Sequence, residues 1–306
     1  MSSTRGSGNG RWHSLNPPAT AADYRRARAM ARALAHGYAR EGADAVLLAG
    51  SWARGDAHRR SDLDLWVLGR HLGPVVLWRD PYMVSVHRTS EAEERRKLYE
   101  PPRVGGSVPG WRVAVPLYDP HGIAARLKRE ARRFRWEMIS RKCDRWVSRQ
   151  TASWGEEAVK LVRALATGRR ETAAVQRNLL VDALGFVMAI HRRTFWDSEN
   201  EFWERIGRQV GGNWWRAQRR AFGFGAPSIE ESCRGALRLY AETVGAVAGV
   251  LSAEDARISF ATCRWVGERV PGVLAPPEVG RPRSVPSPQE VRRAPRLRRR
   301  TPVSRG

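Results

Sequence analysis

No run of 18 or more apolar residues occurs in this 306-residue sequence, so no membrane-spanning segment is expected. Cysteine is also scarce. Cys143, Cys233 and Cys263 are odd in number, far apart and never in a CxxC pair, which argues against a disulfide framework and a structural zinc site. Residues 1–18 are polar and lack the apolar core of a secretory signal. The expectation is a cytoplasmic chain with a disordered leader. Acidic residues are few: 31 Asp and Glu face 54 Lys and Arg, for a net charge of +23. Residues 271–306 contain no Lys, nine Arg and only two acids, Glu278 and Glu290. Without them 45 basic residues still face 29 acidic ones, so the remainder carries +16. Such a surface attracts polyanions, whether nucleotides, nucleic acid or acidic membranes. A solvated arginine-rich surface accounts for much of it, because charge alone carries no specificity.

What is present is a foldable chain. Hydrophobic residues make up 42% and 13 residues are tryptophan, enough for two domains with apolar cores. Thr20 can cap a helix whose apolar positions are Tyr24, Ala27, Ala31, Leu34 and Tyr38, with Gly42 ending it. Ala45 to Ala49 is a short apolar run suited to a buried strand. Asp64–Leu68 and Tyr82–His87 are two further strands, and Trp111–Tyr118 a fourth, confined to an edge or bulge by Pro116. From Asp119 onward the signals are helical. Asp119-Pro120 opens a helix expected to run to about Val147. Further apolar stripes begin at Trp154, Val175, Phe202 and Leu237, the last behind a Ser228/Glu231 capping box. The expected architecture is an α+β domain with a small mixed sheet over 19–120, then an all-α bundle of four to six helices over 121–270. Residues 271–306 are expected to form a disordered Arg/Pro-rich tail.

The chemistry concentrates in Ala45–Leu68. A strand runs into Gly50-Ser51, ten residues intervene, and a second strand opens with Asp62-Leu63-Asp64. Glycine after a strand lets a phosphate approach the backbone, since no Cβ stands in the way. A helix starting at Ser51 would offer free amides, a favourable dipole and a hydroxyl. Arg54 is a forked donor for a triphosphate, and Ser61 stands beside the acids. Asp62 and Asp64, two apart on a strand, project to one face. Two carboxylates there suit Mg²⁺ when a nucleotide supplies the remaining oxygens.

This segment resembles the signature of the polymerase-β-like nucleotidyltransferase superfamily, in which a Gly-Ser pair precedes an Asp-x-Asp at about this distance. The likeness covers about 24 residues closely. The stretch Leu117–Gly122 before a helix is also similar to bacterial nucleotidyltransferases with a helical C-terminal domain, such as those acting on aminoglycosides. The resemblance implies that Gly50, Ser51, Arg54 and Ser61 hold an NTP, with ATP the expected co-substrate. It implies that Asp62 and Asp64 ligate two Mg²⁺ ions, and that an acceptor attacks the α-phosphate to release pyrophosphate. Members of the superfamily usually add a third carboxylate on a later strand. Here Tyr82–His87 has no acid, so Ser85 or His87 stands at that place, and His87 is a candidate base near neutral pH. By analogy with aminoglycoside-modifying relatives, Glu156 or Glu157 of the helical region is an alternative base.

The acceptor is open: a small molecule, a protein or an RNA end. Local acids, Asp197, Glu199, Glu201 and Glu204, would suit a cationic one. The competing expectation is a nucleotide-binding module of weak turnover that engages nucleic acid through its basic surface and tail.

Overall fold

The structure, a computed structural model, describes residues 17–69 and 75–273. Nearly all of the expected leader and tail therefore lies outside the described residues.

Thr20 caps the first helix, α1 (Ala21–Arg40), in a reciprocal box with Asp23. Of the expected apolar positions Ala27, Ala31 and Tyr38 are buried and Tyr24 and Leu34 half-buried, while Ala35, not expected from the spacing, is buried as well. The fully buried β1 (Ala45–Leu48) follows, then the short helix α2 (Gly50–Arg54) and β2 (Leu63–Leu68). An unanticipated strand, β3 (Val75–Arg79), pairs with β4 (Tyr82–Thr89). Ser90 caps α3 (Glu91–Lys97), accepting from the Glu93 amide. The five strands form one mixed sheet in the order β3-β4-β2-β1-β5, with β5 at Val115–Tyr118. Only β2 and β4 pair in parallel.

Two expectations fail here. The strand expected from Trp111 is only β5, and residues 101–113 form a helix, α4 (Pro101–Val113), despite three prolines and three glycines. Pro101 and Pro102 stand in its first turn, where amides lack intrahelical partners anyway. Its glycines admit indole rings. A Cβ at Gly105 would stand 1.9 Å from the Trp196 ring, and one at Gly110 would stand 2.9 Å from Trp66. Tertiary packing thus outweighs the poor intrinsic propensity of glycine. Likewise the helix expected to reach Val147 breaks into α5 (Ile123–Arg133), a 3₁₀ turn (Trp136–Ile139) and α6 (Ser140–Ser153). Phe134, 1% exposed, leaves the helix to pack against Tyr99, Trp136 and Phe195. Asp119 still serves the start of α5, where its carboxylate accepts from the amides of Ala124 and Ala125.

The helical region continues with α7 (Gly155–Ala166), α8 (Arg170–His191), α9 (Glu199–Val210), α10 (Gly212–Ala221), α11 (Ile229–Val247) and α12 (Ala253–Arg269). Eight α-helices thus follow residue 120 among the described residues, against four to six expected. Helix α8 is long and apolar enough to cross a membrane, yet Leu180, Leu184, Val187, Met188 and Ile190 are buried in the core.

One sheet face, with Val46, Leu48, Leu63, Leu65, Val84 and Val86, packs on α1. The other contributes Ala45, Leu47 and Leu68 to a core that runs on through α4 into α8 and α11. The boundary expected at residue 120 therefore marks a change in secondary structure, while the apolar core crosses it. That continuity fixes the sheet against the helices and forms a cleft where they meet.

Candidate functional site

β1 and β2 are antiparallel neighbours, with Leu48 opposite Leu65 and the Ala49 amide bonded to the Asp64 carbonyl at 2.9 Å. This brings Gly50 over Asp64. Gly50 has φ +62°, a backbone conformation natural to glycine, and a Cβ there would lie 1.8 Å from Asp64 Oδ2. The carboxylate occupies the volume of the missing side chain.

Leu63 and Leu65 point into the core, so period-two geometry sends Asp64 and Trp66 to the opposite face. Asp62 is exposed and lies just before β2 rather than on it, a departure from the expectation of two carboxylates on one strand. Its charge still reaches Asp64. Burial first, and the Asp62 charge second, push the Asp64 carboxyl up to about 7, against a smaller opposing effect of Arg54. Arg54 thus offsets only part of the charge of the two carboxylates.

The parallel β2–β4 pairing sets Ser85 beside Asp64 and His87 beside Trp66. Ser85 therefore stands where the resemblance expects a third acid. His87 Nε2 lies 3.2 Å from Glu94 Oε1 and 3.0 Å from Lys97 Nζ. Glu94 is 3% exposed, and it also accepts from Lys97 at 2.6 Å and from Trp111 Nε1 at 2.9 Å. Burial raises the Glu94 carboxyl, but the hydrogen bonds from His87, Lys97 and Trp111 and the Lys97 charge bring it down to about 2. His87 is thus held in an ionic network beside the cleft.

Asp64 and Gly50 line a cleft of about 330 Å³, together with Arg54, Trp66, Asp197 and Glu199. Trp66, Gly106 and Glu199 also line an adjoining chamber of about 600 Å³. That chamber is walled by Trp146, Trp154, Phe186 and Trp196, with His87, Glu94, Asp182 and Arg103 at its edges. Burial, and then the charge of Glu199, raise the Asp182 carboxyl above its ordinary range. The Trp196 amide bonds the Gly105 carbonyl at 3.0 Å, which ties the wall to α4.

The expected residues divide as follows. Gly50 and Asp64 share the cleft, and Asp62 acts on it electrostatically. Ser51 is half-buried in the first turn of α2. Arg54 lines the cleft while donating to Asp56 Oδ2 at 3.0 Å and to the Asp197 carbonyl at 2.9 Å. Ser61 is committed to its own turn, where its hydroxyl accepts from the His58 amide and its carbonyl from Trp52 Nε1. Glu156 is placed elsewhere: its side chain is 71% exposed and paired with Lys160 on α7, outside both spaces. The helical segment before α7 faces the chamber through Trp154 instead, because Glu156 falls on the opposite side of the turn. Glu157 is also bound to Lys160. The acid that reaches both spaces is Glu199, one of the four grouped in the sequence around α9. Asp182, Trp66 and Trp196 carried no separate sequence signal, since they come together only through packing.

Mg²⁺ fits part of this arrangement. Asp64, whose carboxyl is raised toward protonation, and Asp62 would offer hard oxygen donors to one ion. Among the described residues no group of three His, Cys, Asp or Glu side chains forms a metal site, so nucleotide oxygens would have to complete it.

The structure defines an α+β domain with a small mixed sheet, followed by an all-α region. No protein-family model matches the sequence, and no curated protein matches it. Among solved structures the chain is similar to a nucleotidyltransferase-like protein from Exiguobacterium sibiricum 255-15. The identity is 13%, over 76% of this chain and 78% of that one, with a TM-score of 0.47.

Proposed function

We propose that this chain is a nucleotidyltransferase that moves a nucleoside monophosphate, AMP in the reading favoured here, from an NTP to an acceptor hydroxyl. The supporting observation is the Asp64 carboxylate, half-buried against Gly50, raised to about 7 and acted on by the Asp62 charge in a cleft. Such a carboxylate is costly to the folded state unless a cation neutralises it. Asp62 and Asp64 would hold Mg²⁺, which when bound neutralises triphosphate charge and orients the α-phosphate. Gly50 admits phosphate oxygens to the backbone, and Ser51 and Arg54 donate to them. The acceptor enters through the aromatic chamber. Its hydroxyl oxygen forms the new bond to the α-phosphorus, the α–β bridging P–O bond breaks, and pyrophosphate leaves. The hydroxyl proton passes to a carboxylate, a role we assign to Glu199 because it lines both spaces.

One observation favours the second reading, a nucleotide-binding module with little turnover. Ser85, not an acid, stands beside Asp64, which limits the site to one well-held ion. Pyrophosphate release from each NTP with Mg²⁺ and an acceptor panel separates the two readings. Acceptor-dependent release that Asp64→Ala abolishes establishes transfer. Magnesium-nucleotide binding without any release establishes the module.

A further inference from the structure

Helix α10 presents a stripe of side chains that the cleft does not use. At 100° per residue, Gln218, Trp215 and Phe222 lie along one edge of the stripe, Arg219 and Arg216 along its middle, and Arg220 and Asn213 along the other edge. Each edge faces a groove.

On the first side α9 and α10 enclose about 530 Å³ lined by Trp203, Trp215, Phe222, Phe224 and Arg219. Phe222 and Phe224 are 44% and 55% exposed. The Arg219 guanidinium stands 4.7 Å from the Phe224 ring centre and 5.8 Å from Trp215. Gly207 makes the groove possible, since a Cβ there would lie 2.4 Å from the Trp215 ring. Gln218 also lines this groove. It is 2% exposed, and its amide nitrogen is buried without an acceptor. A buried donor without a partner is costly, and its position in an aromatic groove points to a flat ligand bearing a hydrogen-bond acceptor.

On the second side α10 and α11 enclose about 650 Å³ lined by Arg216, Arg220, Arg234 and Arg238, against Glu231 and Glu242. Glu231 is tied to Arg220. Arg238 donates to the Gly272 carbonyl at 2.9 Å. Gly235 lets the two helices close behind it, where a Cβ would meet the Ala221 amide at 2.8 Å.

We propose that α10 is the centre of a binding site for single-stranded nucleic acid. Bases stack in the aromatic groove with an edge on Gln218, and the phosphates cross Arg219 and Arg216 to the arginine groove. Stacking faces next to a basic track are the two elements that sequence-tolerant single-strand binding requires. The charge complementarity favours this occupant over an acidic peptide, which would have no use for four aromatic rings. The site is separate from the Asp64 cleft, and its test does not depend on turnover.

The test uses the full chain and fluorescein-labelled oligo(U) and oligo(dT) of about 16 nucleotides, a length suited to such sites. Anisotropy is followed over a range of salt concentrations. Phe224→Ala, at an exposed position, is expected to weaken binding roughly tenfold without changing the salt slope, as loss of one stacked base does. Arg216→Gln with Arg234→Gln is expected to weaken binding and to reduce the slope by about 1.4, the value for two lost phosphate contacts on a single strand. Either strand meeting both criteria supports the proposal, and preference for oligo(U) assigns the ligand to RNA. If both variants bind like the parent chain, the tail alone captures the strand and the proposal fails. It fails equally if a duplex or a polyglutamate peptide binds as tightly and Phe224→Ala leaves every affinity unchanged.

Discussion

The Asp64 carboxylate fills the space a side chain at position 50 would need, with Oδ2 1.8 Å from an ideal Gly50 Cβ. The two residues are 14 apart in sequence, and the β1–β2 pairing brings them together. Their contact joins the glycine turn to the acid that the proposed function would use to hold Mg²⁺, so a change at either affects both.

Gly50→Ala is accordingly expected to destabilise the fold by about 1–3 kcal/mol, as overpacking does, and to abolish nucleotide binding by displacing Asp64. Thermal unfolding and calorimetric titration with Mg-ATP measure the two effects. An unchanged melting temperature with unchanged titration would contradict this packing.

Asp64 gives a pH dependence of unusual sign. Its folded-state pKa, about 7, lies above the ordinary 3.8. The folded state therefore binds the proton more tightly, and stability falls as pH rises from about 4 to about 7. Asp64→Asn removes this penalty. It is expected to stabilise the metal-free protein by about 2–4 kcal/mol above pH 7 and to have no such effect below about pH 4. Chemical denaturation of both proteins across that window is the measurement. Magnesium-nucleotide binding should weaken as pH drops below 7, since the ion must displace the proton.

Glu94 acts in the opposite direction. Its folded pKa of about 2 lies below the ordinary 4.5, so its contribution is present above about pH 4.5 and is lost as pH falls through 2. Glu94→Gln leaves Lys97 facing a neutral partner beside buried Trp111. The expected loss is about 3 kcal/mol at neutral pH, typical of a broken buried pair. Acid denaturation checks it: the parent and variant curves should converge near pH 2.

Gly105→Ala tests the chamber wall. A Cβ there would stand 1.9 Å from the Trp196 ring, so the ring must move. The expected result is a loss of about 1–3 kcal/mol and weaker acceptor binding, with magnesium-nucleotide affinity retained. A loss of nucleotide affinity of equal size would show that the two spaces are not separable.

Much of the sheet was legible because its signals are local. Thr20, the Ala27/Ala31/Tyr38 spacing, the apolar run of β1 and the alternation in β2 and β4 each reflect a single element's own geometry. The face shared by Ser85 and His87 could be read for the same reason. Helix α4 was illegible because Pro and Gly signal a break, and only the indoles of Trp66 and Trp196 make that composition favourable. Strand β3 was missed because Val75–Arg79 is a short run that becomes a strand only by pairing with β4.

By itself the sequence determined the Gly50-Ser51 turn, the Asp62 and Asp64 pair and the lack of any acid in Tyr82–His87, since these depend on residue identity and local spacing. Tertiary structure alone decided what surrounds them. It set Glu156 out in solvent, placed Glu199 at the cleft, and gathered five aromatic residues into a chamber beside it. Such contacts depend on how helices far apart in the chain pack against one another, and no local pattern encodes that.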